Sequence, residues 1–438
     1  AEQLLLDSLY IINEYARDYY REQLFQTDKG KSVGLRYFKD RGFREETIQK
    51  FGLGFAPEQK DAFTLRAVNV GYKLDLLKQL GLTSKFGADF FRNRVMFAIH
   101  NLSGKVIGFG GRIMVKNAKA PKYINSPETE IYNKSKVLYG AYFAKKAIRQ
   151  QDECILVEGY TDVISLHQAG IENVVASSGT SLTVDQIRLV KRYTPNMKIL
   201  YDGDPAGVKA ALRGLDLVLE QDMNVKVVLL PEGEDPDSYL QQVGASAFKN
   251  YIEKEANDFI LFKTKLLMEE AATDPVKKAA MIKELVKSIA RIPDPLKRSV
   301  YIKQCASTVG VEEQLLVNEA NKMVSGFIRK QQQERELQER RAQRTGDRPP
   351  EDAGFPGVQN APPPELEAEL APPKEKKLSA SEYQEKDLIR ILITLGGKIY
   401  DEKEQISVAA FVLSNIEDVL HDFDNKLYER IARECLEM

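Results

Sequence analysis

Between residues 154 and 240, four short apolar runs follow one another, and each ends in a loop carrying acid or glycine. They read CILVEGYTD from Cys154, NVVASSGTSLTVDQ from Asn173, MKILYDGDPAG from Met197 and NVKVVLLPEGEDPD from Asn224. A helical pattern follows each run. Strand alternating with helix predicts an α/β arrangement, a parallel sheet with crossover helices. In such sheets a ligand sits at the carboxyl ends of the strands. That is where Glu158, Asp202, Asp204, Asp235 and Asp237 fall.

The spacing suggests the chemistry. Residues two apart in extended chain point the same way, so Asp202 and Asp204 can face one point near Glu158. Converging carboxylates repel unless a cation neutralises them or a proton is shared. Oxygen ligands with no Cys or His nearby favour magnesium or manganese. One acid at a loop start is as readily a solvated side chain. Acids repeated at successive strand ends favour an ion.

These residues carry a family resemblance. Glu158-Gly159-Tyr160-Thr161-Asp162 and Asp202-Gly203-Asp204-Pro205-Ala206-Gly207 resemble the two signature motifs of the Toprim domain. DnaG-type primases, topoisomerases and some nucleases share that domain. The resemblance implies that Glu158, Asp202 and Asp204 hold magnesium for phosphoryl transfer, with Asp162 opening the following helix. Gly233-Glu234-Asp235-Pro236-Asp237 resembles a further acidic motif of DnaG-type primases, which makes Asp235 and Asp237 additional candidate ligands.

Charge is unevenly spread in a chain whose net charge is −1. Residues 81–150 carry 13 Lys/Arg against 3 Asp/Glu, and residues 151–240 carry 7 against 15. A basic block leading into an acidic, metal-attracting block suits an enzyme that handles polyanions. The plainer alternative is two oppositely charged halves docked on each other. The three cysteines (Cys154, Cys305, Cys435) form no CxxC pair, so neither a zinc site nor a disulfide framework is expected. The longest apolar runs fall short of a membrane span. No signal peptide is visible, and the expected location is cytoplasmic, without a membrane partner.

Residues 1–25 have helical periodicity and an aromatic stripe at Tyr10, Tyr15 and Tyr19. LRYFKDRGF and IQKFGLGFAP follow. Two β-rich runs between 90 and 114 flank the turn signal Asn101-Leu102-Ser103-Gly104, which predicts an antiparallel hairpin bearing Arg92, Arg94 and Arg112. GFGGRI at 108–113 lacks the third glycine of a dinucleotide fingerprint. Its glycines point instead to close approach of another chain or a ligand. Lys122, Tyr123, Asn125 and Lys134 can offer charge, stacking and hydrogen bonds to nucleotides, although ordinary loops hold the same mix.

RVMF, VIGFGGR, KYINSPET and LYG occur in that order before the acidic motifs, and this order resembles DnaG-type primases in particular. The resemblance implies a basic ridge for template and incoming nucleotide, formed by Arg92, Arg94, Arg112, Lys122, Tyr123, Asn125 and Lys134, with Arg41 lining the cleft. It implies template-directed synthesis of short RNA primers on single-stranded DNA. The partners are then the DNA template, ribonucleoside triphosphates, an RNA–DNA hybrid product and a replicative helicase. Alternatives are a Toprim nuclease or topoisomerase-like phosphoryl transferase, and a helicase-binding scaffold without turnover.

The expected plan is a helix at 1–25, a mixed α+β basic subdomain at 26–150, a Toprim domain at 151–242 and a helical subdomain at 243–328. A charged, Pro- and Gln-rich stretch at 329–379 cannot bury enough surface to order itself and is expected to be a flexible linker. Residues 380–438 regain helical patterning and resemble a shortened, all-α helicase-binding module. The zinc ribbon that opens DnaG-type primases has no counterpart here, and a monomer is expected.

Overall fold

The computed structural model describes residues 2–114, 120–179, 181–203, 214–271 and 274–345, together with scattered positions between 388 and 434. It divides into two units, Ala1–Arg348 and Pro349–Met438.

The first unit is built on two sheets. Helix α1 (Glu2–Gln26) is followed by a π-helical turn (Gly30–Leu35) and two short helices, α2 (Arg36–Asp40) and α3 (Glu45–Lys50). Strands β1 (Gly54–Ala56), β2 (Arg94–His100), β3 (Val106–Ile113) and β4 (Tyr123–Asn125) form an antiparallel sheet in that order, with helices α4 (Ala62–Asn69) and α5 (Leu74–Gln79) between the first two strands. The expected hairpin is β2–β3.

A 3₁₀ turn (Lys134–Lys136) and α6 (Ala141–Gln151) lead into the second sheet. Its strands are β5 (Cys154–Val157), β6 (Val174–Ala176), β7 (Asn196–Tyr201), β8 (Asn224–Leu229) and β9 (Asn257–Asp258). The order is β6-β5-β7-β8-β9, parallel except for the short β9. Helices α7 (Tyr160–Gln168) and α8 (Val184–Lys191) connect the early strands, and α9 (Pro236–Lys254) follows β8.

Alternation along the parallel strands explains why their sequences are apolar without a break. Leu156, Ile199 and Val227 enter one core with Leu285 and Ile289 of the helical bundle. Their neighbours Ile155, Val157, Leu200 and Val228 enter another core with Phe38, Phe51 and Phe97 of the basic subdomain. Successive side chains point to opposite faces, so a sheet covered on both sides needs apolar residues at both parities. The first sheet is covered too: Met96, Ala98 and Phe109 pack on Leu9, Ile12 and Tyr20 of α1.

Glycine spacing in β3 makes room between the sheets. A Cβ at Gly110 would lie 2.5 Å from the ring of Tyr160, and one at Gly111 would lie 2.8 Å from Phe91. The close approach implied by GFGGRI is therefore made by aromatic side chains of the same chain.

The bundle consists of α10 (Phe259–Ala271), α11 (Pro275–Ala290), α12 (Pro295–Val309) and α13 (Glu313–Thr345). Asp274 and Asp294 cap α11 and α12, each with proline in the first turn. The last helix continues to Thr345, well into the stretch expected to be linker from residue 329. From residue 329 on, its Gln, Glu and Arg residues are good helix formers, and no glycine or proline interrupts that stretch before Gly346.

In the second unit, Ile389, Leu392, Leu413 and Ala432 form their own small core. Here the all-α expectation is corrected. Strands β10 (Ile399–Asp401) and β11 (Ile406–Ser407) pair antiparallel. Gly396-Gly397 breaks the helical pattern just before the apolar pair Ile399-Tyr400. Among the described residues no helix is long and apolar enough to cross a membrane.

Candidate active site

Glu158 follows β5 and Asp202 follows β7, the two central strands of the parallel sheet. Leu156 pairs with Ile199. Extended by two residues, that register sets Glu158 level with Tyr201, directly before Asp202. Both acids thus leave adjacent strand ends on the same edge. Gly203 then permits a tight crossing. A Cβ there would lie 2.2 Å from the Pro231 carbonyl oxygen and 2.5 Å from that of Leu230. The next acid of the motif, Asp204, lies outside the described residues.

Asp162 is buried at the third position of α7, and its carboxylate accepts from the Gly159 amide at 2.9 Å. This is the helix-opening role expected of it. Burial, and then the charges of Asp235, Asp202 and Asp237, push its pKa up to about 8. Carboxylate oxygens such as those of Glu158 and Asp202 are the donor type that magnesium or manganese takes. Among the described residues no group of three or more acids, histidines or cysteines is gathered tightly enough to hold a metal.

The other two candidate ligands are engaged by the protein. Asp235 is the N-cap of α9 and accepts from the Ser238 amide at 2.7 Å. Asp237 is 2% exposed. Its carboxylate pairs with Arg41 and accepts hydrogen bonds from the Ser165 hydroxyl and from Gln241 Nε2, the latter at 2.8 Å. Arg41, which ends α2, thereby ties the basic subdomain to the start of α9.

The basic candidates separate into distinct groups. Arg112 donates to the Tyr37 hydroxyl and stacks over the Tyr37 ring at 4.8 Å and the Tyr123 ring at 5.6 Å. Arg41 lies 5.2 Å from the same Tyr37 ring. Two arginines and two tyrosines thus form one alternating stack, joined to Asp237 through Arg41. Arg94 is buried, and its guanidinium donates to the carbonyls of Gly111, Pro121 and Lys122 at 3.1–3.4 Å. These bonds tie it to the loop that carries Lys122. Arg92 and Lys122 are exposed and Lys134 is half-buried.

Asn125 Nδ2 donates to the Ser178 carbonyl at 3.0 Å, and its Oδ1 accepts from the Tyr160 hydroxyl at 2.7 Å. The Ser178 amide in turn donates to the Glu158 carbonyl at 3.1 Å. Ser178 has φ 55°, a left-handed backbone that this network holds in place. Asn125 is committed to protein groups and fixes the backbone of Glu158.

Sequence reasoning missed Tyr37. Its position four residues before Arg41 puts both on one helical face, which was the available signal. Ser165 and Gln241, which hold Asp237, had no signal in the sequence.

Comparisons with known proteins agree with this architecture. Residues 19–145 match the family model for the DNA primase catalytic core, N-terminal domain, and residues 155–240 match a Toprim-like model. Residues 262–314 match the DnaB-helicase binding domain of primase, upstream of the 380–438 segment that the sequence reading favoured. Residues 371–438 match a domain of unknown function.

The chain is 38% identical to the DNA primase of Halalkalibacterium halodurans over 341 residues, 76% of this chain and 55% of that protein. It is 40% identical to that of Clostridium acetobutylicum over 316 residues, 71% of this chain and 51% of that protein. It therefore spans about half the length of the curated relatives it matches. A DNA primase domain from Pseudomonas aeruginosa superposes with TM-score 0.65 at 34% identity, covering 72% of this chain and 99% of that one. A DnaG primase catalytic domain bound to ssDNA gives TM-score 0.62 at 34% identity, covering 70% and 99%.

Proposed function

This chain belongs to the DnaG-type DNA primase family, and from that premise we propose that it is the RNA-polymerising core of a primase. It joins ribonucleotides on single-stranded DNA to make short primers for replication. The observation that carries this reading is the pair of acids Glu158 and Asp202 at adjacent strand ends of the parallel sheet, with the arginine–tyrosine stack joined to Asp237 of the same domain through Arg41.

Glu158, Asp202 and Asp204 are the residues that would hold magnesium or manganese, with Asp235 at the margin. When bound, the ion supplies charge neutralisation at the attacked phosphate and eases attack by a ribose 3′-hydroxyl. The protein's part is positioning and electrostatics, which dominate phosphoryl transfer. Arg112, with Arg92, Lys122 and Lys134, meets phosphates of template and incoming nucleotide. Tyr123 presents a ring beside them for a base. Arg94 and Asn125 hold the surfaces on which these groups sit. Asp237 serves Arg41 as counter-ion and not a metal.

The partners under this reading are single-stranded DNA, ribonucleoside triphosphates and the RNA–DNA hybrid. The ssDNA-bound relative supports the first. A replicative helicase is the protein partner, with the 262–314 match as support and 380–438 as a further candidate contact. The working form is a cytoplasmic monomer.

The test is a pair of reactions on one preparation: extension of an RNA annealed to a DNA template, and cleavage of the same DNA without nucleotides. Extension without cleavage supports the reading. Cleavage without extension would move the chain to the Toprim nucleases and topoisomerases, and neither activity beside intact helicase binding would make it a scaffold.

A further inference from the structure

A second cleft lies behind the 3₁₀ turn Lys134–Lys136. Its volume is about 700 Å³, within the range of ligand-binding clefts. One wall is the β2–β3 turn, residues 100–103, and the other is α8 with the following Arg192. Leu102, Leu138 and Leu189 give it an apolar floor. Lys136, Arg188 and Arg192 stand exposed at its rim, and Asp185 is the single acid among the described residues that line it.

This cleft shares Val137 with a smaller hollow whose Ser178 donates its amide to the Glu158 carbonyl. Lys134 and Val137 line a small hollow on the catalytic side together with Asn125 and Ser178. Val137 also lines the larger cleft, beside Lys136. The two basic ends of one turn thus serve opposite sides of a narrow partition. The partition is held firmly: Gln186 Nε2 donates to the carbonyls of Lys134 and Val137 at 3.1 and 2.8 Å, and Thr183 Oγ1 donates to that of Ser135 at 2.5 Å.

We propose that the single-stranded DNA template runs on from the catalytic cleft, across the 134–137 partition, and into this second cleft. The inference rests on the primase reading and extends its template track. Phosphates would meet Lys136, Arg188 and Arg192, and bases would lie on the leucine floor. A cationic groove beside a surface for bases is what single-stranded nucleic acid requires. Continuity with Lys134 favours a strand over a free nucleotide, which would need no second opening. His100 adds a flat uncharged ring to the wall. Burial and then the charge of Arg17 bring its pKa down to about 4.

The experiment compares binding of oligothymidylates of about six and about twenty nucleotides, a span that brackets common single-strand site sizes. Parent, Arg188→Gln/Arg192→Gln and Lys136→Gln are measured by anisotropy across a salt series. The substituted side chains are exposed, and an unchanged melting temperature confirms folding. In the double variant, the long oligomer should bind severalfold more weakly, with its log–log salt slope reduced by about 1.4, as expected for two lost phosphate contacts. Lys136→Gln should give about half that change. Equal loss on both oligomers, or none on the long one, would overturn the track. If the preparation still extends primers, the primase reading stands without it. A chain that binds neither oligomer would lose both.

Discussion

At the scale of single residues, the cleft is governed by paired and unpaired charge. Arg41 and Asp237 illustrate the first. Removing one partner of a buried pair leaves the other without compensation, which costs about 3–5 kcal/mol. Arg41→Met should therefore lower stability by about 3 kcal/mol in a denaturant titration, because Asp237 is 2% exposed and stays behind. Little change in stability would mean that Arg41 faces ligand and not protein. Asp162 carries the second only once it ionises. Its carboxyl is raised to about 8 by burial and neighbouring acids. A raised carboxyl holds its proton in the fold, so its contribution is complete below the usual carboxylate range. The contribution is lost as pH climbs through about 8. A cation relieves that charge, so magnesium should raise the melting temperature more at pH 8.5 than at pH 6.5. The difference should vanish in Asp202→Ala. An equal magnesium effect at both pH values would show that the ion binds elsewhere.

At the scale of elements, the parallel strands and the acids at their ends were legible from the sequence because a doubly covered sheet forces unbroken apolar runs that end abruptly at the ligand edge. The β2–β3 hairpin was legible through its turn residues. What each side chain touches was not. Asp235 and Asp237 stand two apart in one motif, yet one caps α9 and the other neutralises Arg41, a partner 196 residues away. Arg94 and Asn125 sit among ridge residues in the sequence, yet both donate to protein carbonyls. The reach of α13 was misjudged because polar composition alone does not stop a helix. Gly203 shows how local geometry serves the site. Gly203→Ala would drive a methyl into the Pro231 and Leu230 carbonyls and displace Asp202. Activity should fall by about tenfold or more, corresponding to roughly 1.4 kcal/mol of misplacement, while the melting temperature changes little. Full activity in Gly203→Ala would show that the crossing does not set Asp202.

At the scale of the whole molecule, the two units have separate cores, with Ile389, Leu392, Leu413 and Ala432 forming one of their own. A fragment of residues 1–345 should keep the melting transition of the parent within about 1 °C, less than the shift of about 1.4 °C that a 1 kcal/mol loss produces in a domain of this size. A large drop would mean that the second unit supports the first. Composition changes abruptly between sheets, bundle and tail, which is what let the sequence separate them, but the strands in the tail are too short to establish a period and were missed. The central claim is that the acidic edge and the arginine–tyrosine stack make one site for templated ribonucleotide transfer. Its most direct test is incorporation of labelled ribonucleotides onto an RNA annealed to DNA of defined sequence, with magnesium, comparing the parent with Asp202→Ala. The account predicts incorporation that follows the template in the parent, and a loss of about 100-fold or more in the variant with its fold intact. Asp202→Ala working at the parent's rate would contradict it.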